Sequence, residues 1–337
     1  MRLQMKRNIA PKESGKAFRQ TFLKHMKCTA ISSSDDDFET TNDSSSVKQQ
    51  NMAEKVADRL DKIVGMKSLK EQITKWTKSV YLDRKRSEAA GASGKDKKDP
   101  PVYHMVLMGN PGTGKTTIGR LMAGILKDLG ITKSSKLVEV QRPDLVASFL
   151  GQTASQTKAC IERAEGGVLF VDEAYRLKVD SEKDYGKEAL DTLMEAMLRG
   201  NPVMIFAGYP AQMEEFMKLN PGFKRRIRAI FIFDDFTCEE LAEIFMRKLQ
   251  TRGFNTDITV QELGNAIGLH TTEDLRKAWN AGFCDRLFEL AKESLDERLC
   301  SDSFGEVKDD ESEVSHISKE DIQKAISMNF SSVGFSN

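Results

Sequence analysis

A glycine-rich segment followed by a lysine and two threonines is the part of this sequence best suited to chemistry. It reads Gly109-Asn110-Pro111-Gly112-Thr113-Gly114-Lys115-Thr116-Thr117 and fits the pattern GxxxxGK[ST]. Glycines let consecutive backbone N–H groups face a phosphate chain, Lys115 adds a positive charge, and Thr116 is placed to coordinate Mg²⁺. The segment predicts binding of ATP or GTP, with a tight turn that binds nothing as the alternative.

Two acidic residues after a second apolar run are the other group with chemical potential. The run at residues 168–171 ends in Asp172 and Glu173. An aspartate at the carboxyl end of a strand beside a phosphate loop can hold the Mg²⁺ shell. A carboxylate one residue further on can polarise the water that attacks the γ-phosphate. The pair predicts hydrolysis as well as binding, with an ordinary solvated turn as the alternative.

Five apolar runs that alternate with helical patterns must position these side chains. They are Val102–Met108, Leu137–Val140, Val168–Val171, Val203–Ala207 and Ala229–Phe233. Such alternation is typical of an α/β protein with a doubly wound parallel sheet. Because crossovers in such a sheet are right-handed, we expect the run at 137–140 to pair at the outer edge of the acidic strand.

Composition limits the class of protein. The chain has 337 residues, enough for one sizeable α/β core and a smaller domain, and its 51 basic residues balance its 51 acidic ones. With no net charge, we expect no nucleic acid partner. Five scattered cysteines without CxxC spacing argue against a zinc site or a disulfide framework and favour the cytoplasm or another reducing compartment. No apolar run reaches transmembrane length, so we expect no membrane partner.

The chain divides by composition into four segments. We expect a disordered tail at 1–52, an α/β nucleotide-binding domain at 53–235, a helical lid domain at 236–330 and a disordered C-terminus at 331–337. Phe18, Phe22 and Met26 in the basic tail fall on one helical face, so a targeting presequence and a flexible basic tail both stay open. In the lid, the patterns predict helices over Glu239–Arg252, Val260–Leu269, Thr272–Leu299 and Lys319–Met328, the last capped by Ser318.

Six stretches carry a resemblance to a known family: His104–Leu107, Leu145–Ala154, Gly166–Tyr175, Asp184–Ala189, Ala207–Tyr209 and Asn220–Phe223. Together they resemble the CbbX/CfxQ family of AAA+ ATPases, the group of red-type Rubisco activase and stage V sporulation protein K, over about residues 53–299. The resemblance implies an AAA+ P-loop NTPase fold, in which a five-stranded parallel sheet is followed by a small helical lid. It also implies ATP as the nucleotide and Mg²⁺ as its metal.

The resemblance implies a grip on a client polypeptide. Phe149-Leu150-Gly151 corresponds to the family's central-pore loop, where an aromatic residue holds an extended chain. A broad apolar side chain can hold many sequences without demanding one. Without the family, Phe149 would be read as a buried helix residue, and that alternative stays open.

The resemblance also implies assembly. Asn220–Ile227 matches the segment that supplies arginine fingers to the neighbouring subunit, with Arg226 expected as the finger and Arg225 as its support. Arginine offers a fixed, permanently charged fork for charge that develops on a phosphoryl group. A finger that enters from outside implies a head-to-tail ring, and the family forms hexamers. A basic surface turn is the alternative.

Two further nucleotide contacts follow from the resemblance. In AAA+ proteins, a short apolar segment before the phosphate loop packs on the adenine, so we expect Ile63 and Val64 there, with plain core packing as the alternative. The family's lid carries a sensor arginine on a helix that follows an asparagine. Here Asp285 aligns with that arginine and Arg286 is its neighbour. Either the helix register presents Arg286, or the lid senses nucleotide poorly.

Three functional hypotheses result from the sequence. The first is an ATP-driven motor that pulls a client polypeptide through a homo-oligomeric ring, and the second is a red-type Rubisco activase. The third is a nucleotide-gated scaffold with little turnover, suggested by Asp285. The sequence does not identify the client, because a loop that holds many sequences carries no feature specific to one partner.

Overall fold

The computed structural model describes residues 54–91, 102–149, 151–178, 185–300 and 311–329. The predicted tails at 1–52 and 331–337 lie outside the described residues, and so does Leu150 of the predicted pore loop.

A five-stranded parallel sheet forms the centre of the molecule, with strand order β2-β3-β4-β1-β5. Its strands are β1 His104–Met108, β2 Leu137–Val140, β3 Val168–Val171, β4 Val203–Gly208 and β5 Ile227–Ile232. The predicted α/β fold is confirmed, and β2 lies at the edge beside β3 as expected. Strands β1, β3 and β4 are buried along their whole length, which explains their unbroken apolar runs.

Helices cover both faces of the sheet. Before the lid they are α1 at residues 54–61, α2 Lys67–Gly91, α3 Lys115–Asp128, α4 Arg142–Leu145, α5 Thr153–Arg163, α6 Gly186–Met197, α7 Pro210–Leu219 and α8 Pro221–Arg226, with a 3₁₀ turn at Ala174–Leu177. Alternate residues of β1 enter different cores: Met105 and Leu107 pack with α3, while Val106 and Met108 pack with α6. Side chains that alternate between two covered faces define a doubly wound sheet.

The C-terminal region is helical. Its helices are α9 Cys238–Thr251, α10 Val260–His270, α11 Glu273–Trp279, α12 Ala281–Leu299, α13 Glu311–Val314 and α14 Lys319–Asn329. Capping boxes start α9 at Thr237 and α10 at Thr259, and Ser318 accepts a hydrogen bond from the N–H of Asp321 at the start of α14. Apolar residues of α9 and α12 continue the core on the α3 face of the sheet.

The single predicted helix over Thr272–Leu299 is wrong. The chain breaks at Asn280, which has a φ of 46° and a ψ of −126° and separates α11 from α12. The break is stabilised by tertiary contacts of the Asn280 side chain, described below. An asparagine inside a helical pattern gives only a weak stop signal by itself.

Among the described residues, no helix combines the length and the apolar character needed to cross a membrane.

Candidate functional site

The glycine-rich loop lies where β1 ends and α3 begins, at the carboxyl edge of the sheet. Gly112 and Gly114 have φ values of 69° and 81°, a conformation that residues with a Cβ adopt only with strain. The Thr113 hydroxyl donates to the carbonyl of Asn110 at 2.8 Å, and the N–H of Gly109 donates to the carbonyl of Gly208 at 3.2 Å. The loop is therefore closed on itself and bound to the end of β4.

Lys115 begins α3 and folds back over the loop. Its Nζ donates to the carbonyls of Gly109 and Asn110, each at 2.8 Å, and lies 5.2 Å from the ring centre of Tyr209. Burial lowers the pKa of Lys115 from its usual value, and the nearby charges of Asp172 and Glu173 oppose that shift. The ammonium group therefore lies within electrostatic range of both acids.

Asp172 and Glu173 follow β3 as the sequence predicted. Burial raises the pKa of the Asp172 carboxyl, while the N–H of Glu173, which donates to Asp172 Oδ1 at 3.0 Å, and the charge of Lys115 lower it. Glu173 has a φ of 49°, which is rare for a residue with a side chain. The structure thus brings Lys115, Asp172 and Glu173 together at one edge of the sheet.

The oxygen groups here suit Mg²⁺ held mainly by phosphate and water. Thr116 is half-buried in the first turn of α3, whereas Thr117 is exposed. In the described ranges, no three His, Cys, Asp or Glu side chains come together as a metal cage. Mg²⁺ keeps several waters and takes one or two protein oxygens plus phosphates. One hydroxyl from Thr116 and one carboxylate from Asp172 fit that requirement.

A hydrogen-bond network joins the phosphate loop to the lid. Asn110 Nδ2 donates to both carboxylate oxygens of Asp235, at 2.9 and 3.1 Å. Asn280 Nδ2 donates to Asp235 Oδ1 at 2.9 Å and to the carbonyl of Pro111 at 3.1 Å, while Asn280 Oδ1 accepts from the N–H of Phe236 at 3.0 Å. Asn280 is fully buried. We call these residues, Asn110, Pro111, Asp235, Phe236 and Asn280, the lid junction.

The contacts of the lid junction were not predicted from the sequence. Its partners lie 44 to 169 residues apart in the chain, so no local pattern connects them. The one available signal was a polar asparagine at residue 280 within an otherwise regular helical pattern. Directly after it, the N–H of Ala281 donates to the carbonyl of Gly112 at 3.1 Å, so α12 begins against the phosphate loop.

The segment predicted to contact adenine lies beside the loop. Val64 is buried and Ile63 is half-buried. Two residues further on, Met66 Cε would lie 3.8 Å from a Cβ placed on Gly114. The N–H of Met66 donates to Glu240 Oε1 of α9 at 3.0 Å, so the segment also contacts the lid. Contact of Ile63 and Val64 with a base stays a prediction.

The predicted pore-loop residue is on the surface. The side chain of Phe149 is 70 % exposed, the largest aromatic exposure among the described residues, so the alternative of a buried helix residue is wrong. Gly151 has a φ of 75° and open space around it. An exposed phenylalanine on a glycine-containing loop has no role in the core of this chain.

Arg225 and Arg226 differ in their surroundings. Arg226 Nη1 donates to the carbonyl of Gly222 in the same short helix at 2.7 Å, and its Nε is buried without a hydrogen-bond partner. Arg225 is exposed. Arg226 is therefore held against its own short helix, whereas the Arg225 side chain is open to solvent.

Asp285 has an ion-pair partner within the helical region. Its carboxylate pairs with Lys248 of α9, inside the lid. Arg286 is exposed, six residues past Asn280 and so about 9 Å further along the α12 axis. A contact between Arg286 and a phosphate stays a prediction, and the first-turn residues Ala281 and Gly282 carry no charge to replace it.

Comparisons with known proteins give two family matches. Residues 105–232 match the profile described as ATPase family associated with various cellular activities (AAA). Residues 235–329 match a domain of unknown function (DUF8495). The boundary between the two matches lies at the end of β5, just before Asp235.

Several characterised proteins are similar to this chain. Protein CbbX of Cereibacter sphaeroides is 38 % identical over 264 residues, covering 74 % of this chain and 84 % of that protein. The chloroplastic ribulose bisphosphate carboxylase/oxygenase activase of Cyanidioschyzon merolae is 40 % identical, covering 61 % and 70 %. Stage V sporulation protein K of Bacillus subtilis is 36 % identical, covering 59 % and 61 %.

Solved structures agree on the fold. The AAA domain of FIGL-1 in complex with ADP superposes with a TM-score of 0.54 at 19 % identity, covering 78 % of this chain and 81 % of that one. At this identity the likeness concerns the fold.

Proposed function

This chain belongs to the CbbX/CfxQ family of AAA+ ATPases, and we propose that it uses ATP hydrolysis to remodel a client polypeptide. Family membership establishes it as a nucleotide-binding protein and an ATPase. The observation that carries the proposal is the meeting of Lys115, Asp172 and Glu173 beside the closed glycine loop. Charge of both signs is thus concentrated where a triphosphate would lie.

We assign the catalytic roles as follows. Backbone N–H groups of the loop, residues 109–117, cradle the phosphates, and Lys115 exchanges its two carbonyl partners for phosphate oxygens. Thr116 and Asp172 would hold Mg²⁺, which neutralises charge on the β- and γ-phosphates when it is bound. Glu173 orients the attacking water and receives its proton.

A neighbouring subunit completes the site in this proposal. Since Arg225 is exposed and Arg226 is anchored, exposure favours Arg225 as the finger and Arg226 as its support, the reverse of the order inferred from the sequence. A finger supplied from outside requires a head-to-tail ring, and we propose a hexamer from the family resemblance. The test is subunit mixing: Arg225→Ala and Lys115→Ala chains, each inactive alone, should regain ATPase activity when mixed. A mixture that stays inactive contradicts the finger assignment.

The lid junction supplies a route from nucleotide to movement. We propose two domains, 53–235 and 236–330, that meet at Asp235 and Phe236. Because Asn280 binds both Asp235 and the phosphate loop at Pro111, a change in the loop alters the contacts that hold α12. Hydrolysis can then rotate the lid against the sheet.

The test of hydrolysis is the Glu173→Gln variant. Removing a general base lowers kcat by about 10²- to 10⁴-fold, whereas Glu215→Gln, an exposed α7 residue paired with Lys178, is the control and should leave kcat unchanged. Phosphate release measured on both variants decides the matter. Equal activity of Glu173→Gln and wild type would remove Glu173 from the mechanism.

The test of the client grip uses Phe149→Ala. We expect ATPase activity to persist, and ATP-dependent binding of fluorescein-labelled casein, an unfolded model polypeptide, to be lost. Leu269→Ala, which removes another apolar side chain that is 81 % exposed, is the control and should bind casein normally. Unchanged casein binding by Phe149→Ala contradicts the grip.

A red-type Rubisco activase is the second candidate. It is favoured by the 40 % identity to the chloroplastic activase of Cyanidioschyzon merolae. Its test is ATP-dependent recovery of inhibited red-type Rubisco, with Glu173→Gln as the negative control. The scaffold with little turnover is less favoured, because it was suggested by Asp285, and the charge of that residue is paired with Lys248.

A further inference from the structure

The carboxylate of Glu173 lies between two side chains of the turn that follows it. We propose that Tyr175 and Arg176 are positioning residues for ATP hydrolysis, which fix the orientation of the Glu173 carboxylate toward the attacking water. The inference rests on the role of Glu173 in the proposed function. Neither residue belongs to the glycine loop or to the acidic pair.

Each oxygen of Glu173 has its own donor. The Tyr175 hydroxyl donates to Glu173 Oε1 at 3.0 Å, and Arg176 Nε lies 3.1 Å from Glu173 Oε2. A carboxylate has about four acceptor positions, so two donors fix its plane and leave room for a water molecule. The two donors therefore hold the carboxylate and leave some of its acceptor positions open for the attacking water.

The backbone explains why residues so close in sequence can reach Glu173. Its φ of 49° turns the chain out of β3, and the 3₁₀ turn at Ala174–Leu177 follows at once. The N–H of Arg176 donates to the carbonyl of Glu173 at 2.8 Å. The turn folds Tyr175 and Arg176 back over the acid that precedes them.

Packing fixes the Tyr175 side chain. Its ring lies 5.5 Å from the ring of Tyr209, and a Cβ on Gly208 would approach Tyr175 Cδ1 to 2.8 Å. The ring therefore lies tightly against the end of β4. Burial, and then the hydrogen bond to Glu173, raise the pKa of Tyr175 to about 12, so the phenol stays a donor at every working pH.

Arg176 is held through its backbone. Its carbonyl accepts from Arg142 Nη1, at the start of α4, at 2.6 Å, while its side chain is 57 % exposed. An exposed ion pair is screened by water and salt, so we expect its contribution to be smaller than that of the phenol.

The experiment compares kcat with ATP affinity. We expect Tyr175→Phe, which keeps the ring and removes the hydroxyl, to lower kcat about tenfold with Kd for MgATP unchanged. We expect Arg176→Ala to lower kcat about threefold at low salt and less at high salt, with recovery in Arg176→Lys. Tyr81→Phe and Arg199→Ala, which alter a tyrosine and an exposed ion pair elsewhere, are the matched controls.

A double variant separates positioning from general damage. Because Tyr175 acts through the carboxylate, adding Tyr175→Phe to Glu173→Gln should not slow single-turnover hydrolysis further. A further tenfold loss, an equal loss of MgATP affinity, or an unchanged kcat in Tyr175→Phe would each overturn the inference while leaving Glu173 in place. An unchanged kcat in Glu173→Gln would instead overturn the proposed function and the inference together.

Discussion

The nucleotide edge of the sheet and its interior are built by different means. Among the described residues, three that are not glycine have a positive φ: Met66, Glu173 and Asn280. All three surround the glycine loop, whereas the buried strands β1, β3 and β4 contain none. Backbone strain costs about 1 to 3 kcal/mol per residue and persists only where the surroundings enforce it. The molecule therefore confines strain to the place where groups must be held for chemistry.

Each strained residue is held by contacts that over-determine its conformation. The N–H of Met66 donates to Glu240, and the Glu173 carboxylate accepts from the Tyr175 hydroxyl. The Asn280 side chain donates through Nδ2 to Asp235 and accepts through Oδ1 from Phe236. The buried strands β1, β3 and β4 rely on apolar packing, which is supplemented in β1 by the hydrogen bonds of His104. There, His104 Nε2 donates to the carbonyl of Met197 at 2.8 Å, and His104 Nδ1 accepts from the N–H of Met204 at 2.9 Å.

Gly112→Ala gives the largest expected effect and tests the edge. A Cβ on Gly112 would lie 2.2 Å from the carbonyl oxygen of Trp279, so the loop and the lid cannot both keep their positions. We expect ATP affinity to fall by about three orders of magnitude, ~4 kcal/mol, as measured by titration calorimetry.

Gly253→Ala is the matched control for that variant. Gly253 has a φ of 80° with open space around it, so the substitution adds strain without a clash. It should cost about 1 kcal/mol of unfolding free energy and leave ATP affinity unchanged. Equal ATP affinities of the two variants would show that the loop does not depend on its contact with the lid.

The second prediction concerns the pH dependence of stability that results from His104 in the interior. Burial lowers the pKa of His104 to about 4, from about 6.5 when the chain is unfolded. As pH falls, the unfolded chain takes up the proton before the folded chain does. The contribution of neutral, buried His104 to the free energy of unfolding is therefore complete above pH 6.5 and is lost as pH falls toward 4. The shift corresponds to about 3 kcal/mol of unfolding free energy.

Urea unfolding at several pH values checks the prediction, with His104→Gln as the comparison. Glutamine keeps a donor and an acceptor but does not titrate. Wild type should lose more stability than His104→Gln between pH 6.5 and 4. Parallel losses in the two proteins would show that the acid sensitivity comes from other groups.

The sequence predicted the parts of the molecule that depend on local pattern. The strands follow from apolar runs, and the glycine loop and the acidic pair follow from residue types at fixed spacing. The contacts of Tyr175 with Glu173 were accessible in principle, since they lie within one turn, but they depend on the positive φ of Glu173. The residue types do not predict a positive φ at Glu173.

The lid illustrates what local pattern cannot supply. The helix boundaries of α9, α10 and α14 agree with prediction to within one residue, because threonine and serine caps mark their starts. The break at Asn280 was missed because it is stabilised by Asp235 and Pro111, which are distant in the chain. The family resemblance, which sets an asparagine before the sensor helix, was the one sequence feature that pointed to a helix start after Asn280.

Asn280 gives the smallest expected effect and separates strain from hydrogen bonding at the edge. Both Asn280→Ala and Asn280→Gly remove the amide and leave the buried N–H of Phe236 without its acceptor, and in each variant this loss alone should cost about 2 kcal/mol of unfolding free energy. Alanine must also adopt a φ of 46°, whereas glycine does so freely. Glycine loses more entropy on folding, by roughly 0.5 to 1 kcal/mol, which is less than the strain it relieves.

The glycine variant should therefore be more stable than the alanine variant by about 1 kcal/mol in urea unfolding. An alanine variant as stable as the glycine variant would mean that Asn280 stores no strain, and the contrast between edge and interior would then rest on Met66 and Glu173 alone.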